Sequence, residues 1–175
     1  DYDYVHDTSL SKWGAGSGLI HPLITKIVTA KGTSQQQTKT ITWYDKVLRL
    51  PEAIAETGLT TAYEYYPDNR LKKRTETDTT GSTSNGRTRI WNYTYQAGVV
   101  AGTITSATIQ GPRTNVADNV TLNYNSRGYV SEIINAKGHN LQLQNFNDYA
   151  LPETVVDANG QISTLTYVQG HEGPL

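Results

Sequence analysis

The chain has 175 residues with 15 basic and 16 acidic side chains, a formal net charge of −1 that denies nucleic acid or anionic lipid the clustered Lys and Arg they need. Hydrophobic residues make up 36% and the mean hydropathy is −0.54, and no apolar run approaches the roughly 20 residues of a membrane-spanning helix. Cysteine is absent, which removes disulfides, thiolate metal sites and cysteine nucleophiles together.

The opening Asp1-Tyr2-Asp3-Tyr4 has no initiator Met and no basic segment leading into an apolar one, so the expectation is a piece or processed product of a longer polypeptide. Residues 1–22 read as an irregular lead-in. Their Gly-rich stretch Trp13-Gly14-Ala15-Gly16-Ser17-Gly18 follows no strand signal and precedes no Gly-Lys-Ser/Thr, so it lacks the setting of a phosphate loop. Residues 23–28, followed by Lys31-Gly32, read as the closing half of a preceding repeat unit. Residues 51–56 have the composition of one helical turn, which Thr57-Gly58 would stop. Elsewhere no stretch of a dozen residues places apolar groups at i, i+3, i+4 and i+7. The chain instead holds 12 Tyr, three Trp and 25 Thr against one Phe, and such side chains suit pleated, half-buried positions. With Gly and Asn punctuating short runs, an all-β protein of antiparallel hairpins is predicted.

The hairpins repeat. Tyr44, Tyr124 and Phe146 each open a similar segment, in which the aromatic residue is followed by Asp or Asn and a short polar turn. An apolar residue comes next, with Glu two positions on (Leu50/Glu52, Val130/Glu132, Leu151/Glu153). A brief strand then leads to a Gly turn at Gly58, Gly138 or Gly160, and an alternating strand ends on the next aromatic residue. Tyr44 to Tyr65 is 21 residues, Tyr124 to Phe146 is 22, and Phe146 to Tyr167 is 21. Two longer steps of 29 run from Tyr66 to Tyr95 and from Tyr95 to Tyr124. A polar loop at residues 79–86 lengthens the first, and Gly111-Pro112-Arg113 marks a turn in the second. The units span residues 23–167, and residues 168–175 read as the truncated start of another. Period 2 puts Tyr63 with Tyr65, then Trp91, Tyr93 and Tyr95, then Val120, Leu122 and Tyr124 on one face, leaving Ala62, Glu64, Asn92 and Thr94 on the other. An aromatic-lined face and a wetter face are therefore expected along a continuous curved or spiralling sheet.

This pattern resembles the YD repeat of the RHS (rearrangement hot spot) family. The best matches are Tyr44-Asp45, Gly58-Leu59-Thr60-Thr61-Ala62-Tyr63-Glu64-Tyr65 and Gly160-Gln161-Ile162-Ser163-Thr164-Leu165-Thr166-Tyr167. The resemblance implies a long β-sheet coiled into a hollow cocoon. In bacteria such shells enclose a toxic C-terminal segment, as in insecticidal toxin complexes and type VI secretion effectors, while the teneurins are animal relatives acting in adhesion. It implies that Tyr44, Asp45, Gly58, Tyr63, Tyr65, Tyr95, Tyr124, Gly138, Phe146, Gly160 and Tyr167 are structural repeat markers. The implied partners are further repeats and a toxin segment of the same parent chain, and the implied location is secreted or extracellular. Two departures stand out: Gln96 replaces the Asp or Asn after Tyr95, and the chain lacks the Asp-Pro motifs with which family members cut themselves.

Little in the sequence points to chemistry. His6, His21, His139 and His171 have no metal-ligand spacing, and no G-x-S-x-G elbow occurs. Asp157-Ala158-Asn159-Gly160 starts like a calcium loop, but Val168 stands where the closing carboxylate belongs. It reads as an Asn-Gly turn. Glu52, Glu132 and Glu153 come once per unit, which suggests hydrogen bonds along the wall or solvent exposure; they form no unique pair of the kind a retaining glycosidase holds at about 5 Å. Lys72-Lys73-Arg74 is followed by Glu76 and Asp78 and reads as a solvated edge. Asn92-Tyr93-Thr94 and Asn119-Val120-Thr121 match the N-glycosylation triplet, relevant only to a eukaryotic secreted parent. The sequence thus predicts a non-catalytic structural segment with no cofactor, no metal, no nucleic-acid partner and no membrane span. The competing expectation is a binding module whose Trp13, Trp43, Trp91 and Tyr rows stack on a cell-surface glycan.

Overall fold

The computed structural model describes residues 2–4, 23–29, 36–45, 48–81, 83 and 86–167; among them every regular element is a β-strand. The chain divides into two units, residues 1–90 and 91–175. The first holds β1 (Tyr2–Tyr4), β2 (Leu23–Thr29), β3 (Gln36–Asp45), β4 (Leu50–Glu56), β5 (Leu59–Tyr65) and β6 (Leu71–Asp78). β7 (Thr88–Ala97) runs into the second, which continues with β8 (Ile104–Gln110), β9 (Val120–Tyr124), β10 (Val130–Ile134), β11 (Asn140–Phe146), β12 (Pro152–Val156) and β13 (Ile162–Thr164). Within each unit every strand pairs antiparallel with the next in the chain, so both are hairpin meanders of the all-β class.

Two sequence expectations need correction. Residues 51–56 form no helical turn: they lie in β4, where Ile54 pairs with Ile41 on one side and Thr61 on the other. Six residues are too few to repay helix nucleation, whereas two flanking strands offer the same backbone groups ready partners. The lead-in is also not wholly irregular, since Tyr2 and Asp3 of β1 pair with Lys26 and Thr25. Its glycine stretch, His6, Trp13 and His21 lie outside the described residues, as do Lys31-Gly32, His171 and residues 168–175.

Within each unit, contacts among the described strands join sequence neighbours only. Each unit is accordingly a single layer, and burial is shallow. Thr61 (7% exposed) and Ala107 (6%) are the buried residues among those described, and none of these side chains is fully enclosed. Stabilisation comes sideways, from cross-strand pairs contributing roughly 0.2–1 kcal/mol each. In the second unit the register carries one apolar row across five strands, Tyr95–Ala107–Leu122–Ile133–Leu141, with Tyr93–Ile109–Val120 beside it. Successive side chains alternate faces, so the other face takes Thr94–Thr108–Thr121 and Gln96–Ser106–Asn123–Glu132–Gln142. The Thr108 and Thr121 hydroxyls meet at 3.0 Å.

Four connections in this unit share one five-residue form, at residues 125–129, 135–139, 147–151 and 157–161. The first residue donates its N–H to the fifth carbonyl, and the fourth donates back to the first carbonyl, all at 2.9–3.0 Å. In each, the first side chain is Asn125, Asn135, Asn147 or Asp157. Its Oδ1 accepts the N–H groups of the third and fifth residues at 2.8–3.1 Å. This is the three-residue hairpin loop, a type I turn followed by a left-handed residue. Gly128, Gly138 and Gly160 fill the left-handed position at φ near +80°, but Ala150 does so at +64°, where a Cβ is penalised. Ala150→Gly is therefore expected to stabilise the protein by about 0.5–1 kcal/mol, and Gly138→Ala to destabilise it by a similar amount, both read from urea midpoints.

Candidate functional site

The marker residues recur at equivalent places. Tyr44 and Asp45 end β3, Tyr63 and Tyr65 lie on β5, Tyr95 lies near the end of β7, Tyr124 ends β9, Phe146 ends β11, and Tyr167 lies just beyond β13. Because direction alternates, all markers within a unit that end odd-numbered strands reach the same edge of that unit. Gly58, Gly138 and Gly160 sit in turns at the opposite edge, with φ of +80°, +81° and +79°. Gly58 has a second constraint, since a Cβ there would lie 2.8 Å from Thr80 Cγ2.

The aromatic markers make specific bonds. Tyr65 Oη donates to the Pro51 carbonyl at 2.8 Å, and Tyr167 Oη donates to the Pro152 carbonyl at 2.6 Å. These are the same contact in two units, for Pro51 and Pro152 occupy the same place in Leu-Pro-Glu. Tyr44 stacks on Tyr65 with ring centroids 5.1 Å apart, and Tyr129 meets Phe146 at 5.2 Å. Burial, and then the neighbouring Tyr63, pushes the Tyr65 phenol up to about 12.

The recurrent glutamates part company. Glu132 on β10 accepts from Asn123 Nδ2 on β9 at 2.7 Å and from Asn140 Nδ2 on β11 at 2.9 Å, so one carboxylate links three strands. Those two amides, Asn140 first, hold its carboxyl below the ordinary range. Glu52 and Glu153 are exposed. A second organised carboxylate, Asp118, closes the β8–β9 connection. Its side chain is only 6% exposed and accepts from Gln110 Nε2, the Arg113 N–H and Arg113 Nε. The Arg113 N–H is the leading cause of its lowered pKa. A Cβ on Gly111 would lie 2.4 Å from Asp118 Oδ2, so a larger residue there would push the carboxylate from its place. The sequence pointed to this turn but missed Asp118.

Among the described residues no group of three or more His, Asp or Glu could hold a metal ion, and no helix is long and apolar enough to cross a membrane. His139 is an exposed turn residue whose N–H donates to Asn135 Oδ1. Lys73 and Arg74 pair with Glu64 and Glu76, so the basic run is spent on ion pairs, leaving Lys72 exposed. Trp43 and Trp91 are half-buried, whereas Tyr44 is 54% exposed. No family model and no curated protein matches the chain.

Two titrations follow. The Glu132 contribution is fully present above about pH 4.5 and lost as pH falls through its lowered value. Glu132→Gln is expected to lower the urea midpoint at neutral pH and flatten its decline on acidification. For Tyr65 the sign is opposite: an unfolded phenol ionises near 10.0, so its contribution is intact below that pH and disappears as pH rises towards about 12. An ultraviolet phenolate titration of the folded protein is expected to contain a late-ionising component that Tyr65→Phe deletes.

Proposed function

We propose that the chain is a structural segment of an RHS-type shell wall, itself non-catalytic, whose parent encloses or delivers a toxic cargo outside the producing cell. One observation carries this reading: within each unit marker aromatics return at the same edge on every second strand, and an equivalent hydroxyl-to-carbonyl bond occurs in each, Tyr65–Pro51 and Tyr167–Pro152. Such a repeat is stabilised by its neighbours and extends by adding hairpins. The polar and apolar faces of the second unit are what a wall separating two environments requires. Its partners on this reading are further repeats and the C-terminal segment of the same chain.

In a parent chain carrying this segment, the C-terminal portion is expected to resist protease, and excision of residues 44–65 to expose it. Equal cleavage with and without the excision overturns the proposal. A second reading, glycan binding, draws support from the exposed rings of Tyr44 and Tyr149. A glycan array decides it, since loss of any retained sugar on Tyr44→Ala and Tyr149→Ala substitution is the expected signature.

A further inference from the structure

The first hairpin of the second unit ends in an apolar tip that its own sheet does not cover. Between β7 and β8, Gly98 N–H donates to the Thr103 carbonyl at 2.9 Å, while the Thr103 N–H and hydroxyl donate to the Val100 carbonyl at 3.1 and 2.6 Å. A Cβ on Gly98 would lie 2.3 Å from Thr103 Oγ1, so the turn closes tightly. It holds Val99 and Val100 outward at 105% and 67% exposure. Their setting differs from every five-residue turn in the unit. Residues 90–112 contain no charged side chain, whereas those turns carry Arg127, Lys137, Asp148 and Asp157. Behind the tip, Tyr95, Tyr93 and Trp91 follow on one face at steps of about 6.8 Å, with Tyr95 and Tyr93 paired to Ala107 and Ile109 of β8.

We propose that this tip is a peripheral membrane anchor, seating Val99 and Val100 at the headgroup–acyl boundary of a lipid bilayer. At that depth transfer from water favours Val and opposes charge, and the hairpin offers the first without the second. Tyr and Trp settle where an apolar ring meets a wet polar tip. Tyr95 lies four residues behind Val99, about 13 Å of extended chain, which puts it in the headgroups when the valines reach roughly 5–10 Å in. Only the tip enters, because directly behind it the other face of the hairpin carries the polar pair Gln96 and Ser106. A protein pocket would select through polar groups as well, and the tip offers none but the Thr103 hydroxyl, which is bonded to the Val100 carbonyl. The anchor does not depend on the shell reading.

Flotation of the full chain with phosphatidylcholine vesicles tests this directly. Binding is expected to rise with millimolar lipid, to be insensitive to salt, and to fall about tenfold in Val99→Ser/Val100→Ser. That variant leaves the backbone and Thr103 bonds intact, and unchanged circular dichroism checks its fold. Ile162→Ser, at an exposed position of the opposite edge, is expected to float like the parent. Absence of flotation, or equal flotation of the valine variant, overturns the proposal. Salt-sensitive binding that requires anionic lipid overturns it in favour of basic residues. Self-association of the lipid-free chain that the same valine substitutions abolish would reassign the tip to a second copy.

Discussion

In a single antiparallel layer a strand can be stabilised only by the strands beside it. A two-layer protein offers each inward side chain a facing surface and gains most of its stability there; here Ala107 and Thr61 are the buried exceptions among the described residues. Cohesion has to come from cross-strand pairs, turn geometry and side chains that span strands. This explains why Glu132 bonds both its neighbours, and why Tyr65 reaches the Pro51 carbonyl rather than a hydrophobic core.

The same constraint makes the turn the unit of design. A slip of one residue would exchange the two faces of every strand beyond it, and a layer without a covering surface has little else to prevent that. The Asn or Asp opening each five-residue turn fixes the register by accepting two backbone N–H groups. Asn125 and Asn147, which follow the marker aromatics Tyr124 and Phe146, are thus structural devices, while Gln96 after Tyr95 opens no such turn. Asp45 departs slightly: it accepts from the Leu48 N–H before the chain passes through Arg49 at φ +55°.

Much of this was legible in the sequence because a period of 2 and a repeat near 21 are long-range regularities that need no tertiary information. The strands, the face assignments of Trp91, Tyr93, Tyr95, Val120 and Leu122, and the turns at Gly138 and Gly160 all follow from them. Residues 51–56 misled because Ala, Ile and Glu are good helix formers locally, and only pairing with β3 and β5 overrides that preference. The turns opened by Asn135 and Asp157 escaped as members of the same class, although the spacing 125, 135, 147, 157 with Gly or Ala three residues on carries the signal. Asp118 was not legible at all, since nothing local links it to Gly111 and Arg113 until the loop closes.

What remains distinctive is how unevenly apolar surface is distributed once pairing is satisfied. In the second unit exposed apolar side chains occur at both edges, Val99, Val100, Tyr149 and Leu151 at one and Val116 and Ile162 at the other, whereas the turn at residues 135–139 presents Lys137 and His139. A layer needing only to be soluble would keep all its turns polar. The unevenness cannot come from strand pairing, nor from the turn form, which holds Arg127 and Tyr149 at the same position. It is a property of the side chains chosen for particular turns, greatest at Val99 and Val100 within the uncharged residues 90–112, and residue choice that neither pairing nor turn geometry demands is where contact with another phase or molecule leaves its mark.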